Sequence, residues 1–129
     1  MLSIFTKKAP KPLGPYSQAI HIDNFIITSG QIPIHTECNS VPKNIIDQTY
    51  LTLNHIKFIL IAGGFEIKHI IKMTIFITNI NNIDTINQAY KKFFMDNNVL
   101  LLPARSCVEV SRLPKEVNIE IEAIAYKKK

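Results

Sequence analysis

Arg105, Cys107 and Glu120 are the residues best suited to chemistry on a small acid. Arg105 follows Leu102-Pro103-Ala104 at the start of a predicted strand. A guanidinium there can present its planar fork to a carboxylate in two parallel hydrogen bonds. Charge-assisted bonds of this kind contribute about 1.5–3 kcal/mol each. A structural ion pair with Glu109, Glu120 or Glu122 would use the same fork, and the residues alone leave both readings open. Cys107 lies two positions on. As a nucleophile it would need a His base or a helix N-terminus beside it. The sequence supplies neither, which favours a small thiol lining a pocket. Glu120 can serve as a general base, orient a water, or pair at an interface.

Other chemistry has no signature. His21, His35, His55 and His69 have no metal-ligand spacing, and no HExxH or CxxC pattern occurs. Each histidine is expected on the surface or in a loop. There is no phosphate-cradling glycine loop, and Gly63-Gly64 reads as a helix end. Neither a metal nor an organic cofactor is expected.

The elements that must position these groups follow from hydrophobic period. Residues 18–22 and 25–29 read as a hairpin joined at Asp23-Asn24. From Asn44 to Ala62 a stripe of Ile46, Thr49, Leu53, Ile56 and Leu60 predicts a helix. Residues 69–78 form a third strand. A second helix runs from Asn82 to Asp96, with Ile83, Ile86, Tyr90 and Phe93 on one face. Strands at 105–111 and 117–126 flank the Leu113-Pro114-Lys115 turn. The order predicts an α+β layer, a mixed sheet with both helices on one face.

Alternation assigns the sides. Val117, Ile119, Ile121, Ala123 and Ala125 are expected to face the helices, as are Ile71, Met73, Ile75 and Ile77, and Val108 and Val110. Arg105, Cys107 and Glu109 then share the opposite side with Lys72, Thr74, Phe76, Glu120, Glu122 and Ile124. That second face is too apolar for a wet surface and too charged for a core. It suits a subunit interface enclosing a polar site, or a single-layer sheet with a solvated back.

Composition bounds the class. The chain has 129 residues, 47% apolar and 19% charged, which predicts one folded domain spanning 1–129 and excludes a disordered chain. The longest apolar stretches are cut by Lys57, Lys68, His69 and Lys72, so no transmembrane span is expected. The start, MLSIFTKKAPKP, lacks the pattern of a secretory signal, and two cysteines make no disulfide framework. The expected location is the cytoplasm. The net charge of +5 concentrates at Lys7, Lys8 and Lys11 and at Lys127, Lys128 and Lys129. This reads as solubilising ends or as a weak nucleic-acid patch.

In order along the chain stand GPYSQAI (14–20), IITSGQIP (26–33), INQAY-KKFF (86–94), PARSCVEV (103–110) and EIEAIA (120–125). With these motifs the chain resembles the RidA (YjgF) family of reactive-intermediate deaminases from about residue 9 to 126. The resemblance implies a chorismate-mutase-like α+β fold and a homotrimer with three clefts between subunits. It implies hydrolysis of 2-iminobutanoate and 2-iminopropanoate, or their enamines, to 2-oxo acids and ammonia. Arg105 would clamp the substrate carboxylate and Glu120 would handle the attacking water. The backbone N–H of Cys107 would share that site. Tyr16, Ser29, Gly30 and Asn87 match pocket positions, and Lys72 and Pro103 match its edge. Arg105 and Glu120 come from separate strands and are expected to converge in a groove that assembled protomers create. The stretch MDNNVLLL (95–102), bordering that cleft, is more apolar than the family pattern, and HTECNS (35–40) is not diagnostic. Two alternatives come from other classes: a non-catalytic ligand-binding regulatory trimer, and an endoribonuclease or translation inhibitor. Nucleic acid as a partner is disfavoured, because RNA binding calls for stacking aromatics among basic residues.

Overall fold

The computed structural model describes all residues, 1–129. Six strands form one sheet: β1 (Leu2–Ile4), β2 (Ala19–Ile22), β3 (Phe25–Thr28), β4 (Ile70–Ile77), β5 (Ala104–Glu109) and β6 (Ile119–Tyr126). Two helices, α1 (Ile45–Ala62) and α2 (Ile83–Asp96), complete the α+β architecture. The strand order is β1-β2-β3-β6-β4-β5. Only β4 and β5 run parallel, joined by α2, so the sheet is mixed as expected.

Local chemistry explains the elements. Asn44 caps α1 by accepting the Asp47 N–H at 2.8 Å, and its own amide donates to the Asp47 carboxylate at 2.8 Å. Gly64 follows the helix at φ 79, a left-handed conformation that glycine adopts without a Cβ clash. α1 buries Thr49, Thr52, Leu53, Ile56, Ile59 and Leu60, and α2 buries Ile86, Tyr90, Phe93 and Phe94. The apolar ones among them meet Met73, Ile75 and Ile77 of β4 and Ile119, Ile121, Ala123 and Ala125 of β6 in one core.

Several expectations are corrected. β1 is an added edge strand from a segment read as a short apolar patch, and it pairs with β2 through Leu2 and His21. Ile46 is exposed although it falls on the predicted stripe. A β-bulge between Ile70 and Lys72 puts Ile70 in the core and Ile71 in solvent. His55 is buried in α1, not on the surface; its Nε2 lies 2.9 Å from the Ile34 carbonyl, and burial pulls its pKa down.

The parity of β5 is the reverse of the expected one. In register, Met73 pairs with Arg105, Ile75 with Cys107 and Ile77 with Glu109. Paired neighbours share a face. Arg105 and Cys107 therefore lie on the helix side, while Val108 pairs with Phe76 on the open side. An edge strand has helix cover along only part of its length. The apolar Val108 can stay uncovered at 45% exposure, and a long polar side chain can reach the helix.

Candidate active site

The guanidinium of Arg105 is held from two sides by α2. Its Nη1 donates to Asn87 Oδ1 at 2.7 Å, and its Cζ sits 5.0 Å from the centroid of the Tyr90 ring. Asn87 and Tyr90 are three residues apart and so share a helix face. The face of an aromatic ring attracts a cation. None of the three ion pairs in the chain involves Arg105. The structural pairing with Glu109, Glu120 or Glu122 is thus not formed. A half-buried cation is gripped by two neutral groups and keeps its charge for another partner.

The sequence places Tyr90 only on the apolar face of α2. Its hydroxyl is buried with no hydrogen-bond partner, and burial pushes its pKa up to about 12 against the opposing charge of Arg105. The signal available in the sequence was its three-residue spacing from Asn87 on a helix facing Arg105. Asn87 matched a substrate-pocket position, but its side-chain oxygen is committed to Arg105. Cys107 follows on the same side of β5 and packs against the core. Burial raises its thiol pKa, only partly offset by the Arg105 charge. The thiol form therefore prevails at neutral pH, which argues against a thiolate nucleophile. Pro103 lies immediately before β5.

A second group assembles on the other side of the sheet. Glu120 pairs across β4 with Phe76 and shares the open face with Glu122, which pairs with Thr74. Burial, reinforced by the Glu122 charge, raises the pKa of Glu120. Its carboxylate lies on Gly30, where an added Cβ would sit 2.6 Å from Glu120 Oε2. Only glycine leaves room for so close an approach. Gln31 locks this placement through paired backbone bonds with Ile121 at 2.7 and 3.0 Å. Ser29 donates its hydroxyl to the Ser17 carbonyl at 2.6 Å, which ties the 14–20 segment alongside. Tyr16 is exposed, accepts the Leu13 N–H at 3.0 Å, and lines a small cavity together with Gly30.

The predicted residues therefore fall into two half-sites. Asn87, Pro103, Arg105 and Cys107 gather where β5 meets α2. Tyr16, Ser29, Gly30 and Glu120 gather beside β6. Within one chain β4 lies between the two strands, and Arg105 and Glu120 sit on opposite faces of the sheet. Lys72 belongs with neither half; on the open face its Nζ donates to Ser106 Oγ at 2.9 Å. A cavity of about 760 Å³, lined by Phe5, Lys7, Lys11 and Lys115 among others, touches neither Arg105 nor Glu120.

Comparison with known proteins shows the family. Residues 6–127 match the family model described as Endoribonuclease L-PSP. A RutC family protein of Buchnera aphidicola is 60% identical over 125 residues, covering 97% of each chain. The 2-iminobutanoate/2-iminopropanoate deaminase of Escherichia coli is 44% identical over 126 residues, covering 98% of each. The crystal structure of E. coli TdcF with bound serine superposes with a TM-score of 0.97 at 44% identity, covering 99% of this chain and 100% of that one. On the motifs, the sheet order and these matches, the chain belongs to the RidA (YjgF) family.

Proposed function

We propose that this protein is a homotrimeric deaminase that hydrolyses 2-iminobutanoate and 2-iminopropanoate, or their enamine tautomers, to 2-oxo acids and ammonia. One observation carries the reading: Arg105 presents a fork held by Asn87 and Tyr90 with no carboxylate of its own chain to neutralise it. A substrate carboxylate is the natural occupant. The trimer is supported by the open sheet face, where Ile27 and Val108 are exposed beside Glu120 and Glu122. It is also supported by the split site, since a second copy can set its Glu120 against the first copy's Arg105. In this reading the protein works in the cytoplasm, beside the pyridoxal-phosphate dehydratases that release such imines.

Arg105 holds the carboxylate and fixes the imine carbon, so water meets a positioned electrophile. Glu120 of the partner subunit takes a proton from that water as the oxygen bonds to the imine carbon and the C=N π pair moves to nitrogen. Glu120 then returns the proton to nitrogen. Glu120 next takes the hydroxyl proton of the tetrahedral adduct and delivers it to the amino nitrogen as the carbon–nitrogen bond breaks, so the carbonyl forms and the nitrogen leaves as ammonia. Cys107 contributes a neutral thiol wall and its backbone N–H.

A threonine dehydratase assay tests this, with 2-oxobutanoate release followed in the presence and absence of the protein. Faster release from the imine pool is expected, and unchanged kinetics remove the enzyme reading. RNA binding measured across a salt series separates the nucleic-acid alternative, because phosphate contacts weaken steeply with ionic strength.

A further inference from the structure

Lysines from two distant parts of the chain converge on one cavity. Lys7 and Lys11 come from the segment before β2 and Lys115 from the turn before β6, and all three line the space of about 760 Å³. No acidic side chain lines it, and none of the three lysines enters an ion pair. The neighbouring Glu116 is committed to Arg112 at 3.1 Å. Lys115 stands at φ 59, a left-handed backbone that costs a residue with a Cβ and recurs at ligand clamps. The walls are built. Buried Gln18 ties down residues 6–10: its amide donates to the Thr6 and Pro10 carbonyls at 3.0 and 2.9 Å, and its oxygen accepts the Thr6 N–H at 2.8 Å. Loop 35–40, which brings Asn39 to the lining, closes on itself through His35 N–H to Ser40 O and Asn39 N–H to His35 O, both 2.9 Å. Buried Ile34 and the half-exposed Phe5 and Leu13 add an apolar surface.

We infer that this cavity binds a small organic phosphate with a flat ring, of the nucleoside diphosphate class. The phosphates lie among Lys7, Lys11 and Lys115, and the base rests on Phe5. A cleft lined by one sign of charge concentrates counter-ions, and lysines bind phosphate as point charges. A diphosphate ester, with roughly three negative charges at neutral pH, matches three ammonium groups. The open ring of Phe5 offers a face on which a base stacks. The volume falls within the usual range for small-molecule sites. The site is independent of the deaminase reading, because it includes neither Arg105 nor Glu120.

The test is calorimetry on the full-length protein at low ionic strength, with ADP, pyrophosphate and adenosine as probes. ADP should bind, and pyrophosphate and adenosine should each bind more weakly. Phe5→Ala should weaken ADP roughly five- to 150-fold and leave pyrophosphate unchanged, while Phe5→Tyr should keep ADP. Replacing Lys7, Lys11 and Lys115 together by Gln should weaken ADP about three- to 150-fold, and added salt should act in the same direction. Arg105→Ala should bind ADP as the wild type does, and 2-oxobutanoate should not displace it. Four results overturn the site. ADP that does not bind at millimolar concentration removes it. Equal affinity for ADP and pyrophosphate reduces the cavity to a charged patch without a seat for the base. Displacement of ADP by 2-oxobutanoate assigns the anion to Arg105. An oligouridylate that binds more tightly than ADP, and weakens by the same factor in the lysine variant, assigns the surface to nucleic acid.

Discussion

The two faces of β4 and β6 come from the same alternating residues and meet different fates. On one face Met73, Ile75, Ile77, Ile119, Ile121 and Ala125 are sealed by α1 and α2. On the other, Thr74, Phe76, Glu120, Glu122 and Ile124 remain half-buried, with no element of the chain to cover them. The first face is uniform and completes the fold. The second is mixed and stays uncovered within the chain. The candidate site straddles this division, with Arg105 on the sealed side at its edge and Glu120 on the open side. Fold stability and catalysis are thus separable: changes on the sealed face should act through stability, and changes in either half-site through rate.

The largest effect is expected from Arg105→Ala. Loss of two charge-assisted bonds at about 1.5–3 kcal/mol each corresponds to roughly a 10²- to 10⁴-fold fall in kcat/KM. Arg105→Lys should recover little, because a point charge cannot reproduce the fork. Thermal unfolding and sedimentation of the same variants should stay close to the wild type. A comparable loss of activity that tracks a loss of assembly would move Arg105 from the site to the interface.

Glu120→Gln should cost about 10²- to 10⁴-fold, as for other general acid–base groups. Combining the two inactive variants sharpens the comparison of the half-sites. If Arg105 and Glu120 come from neighbouring subunits, unfolding and refolding an equal mixture should regenerate some intact pairs. Random assembly pairs an Arg105-bearing edge with a Glu120-bearing edge in about one site in four, so about a quarter of wild-type activity should return. A site built within one chain would recover none.

A smaller effect tests how Arg105 is held. Tyr90→Leu removes the ring beneath the guanidinium, and a contact of about 0.5–2 kcal/mol predicts a loss of roughly two- to thirtyfold, mainly in KM for the carboxylate. Tyr90→Phe keeps the ring and discards a buried hydroxyl that has no partner. It should leave KM unchanged and the melting temperature equal or higher. Equal KM values in both variants would reduce Tyr90 to a packing residue.

Much of this organisation is legible in the sequence, and the failures have physical causes. The stripes of α1 and α2 and the alternation of β6 are long, regular and covered by partners, so period and burial agree. β5 is short and lies at an edge, where apolar valines and polar side chains each have somewhere to go. Periodicity gave its period and not its sense. One inserted residue at Ile70–Lys72 reversed the side of Ile71. The open face was legible as unusual, yet nothing local says that its acid and the guanidinium belong to opposite faces. The role of Tyr90 is hidden in the sequence because one aromatic ring fills the core and supports a cation at once.

The finest test lies within the open face itself. Glu120 and Glu122 project side by side from β6, and the charge of Glu122 adds to burial in raising the pKa of Glu120. A base must be ionised, so the acid limb of the kcat/KM profile should lie above the ordinary carboxylate range. Glu122→Gln removes the like charge and leaves the burial, so the limb should move to lower pH without reaching the ordinary value. Stability should respond in the matching sense. Between its unfolded and its raised folded pKa, Glu120 binds more protons in the folded state, so its contribution to stability falls as pH rises through that window. Glu122→Gln should shallow this fall. An acid limb that stays in place in Glu122→Gln, or that moves upward, would mean that the group titrating in the rate is not Glu120.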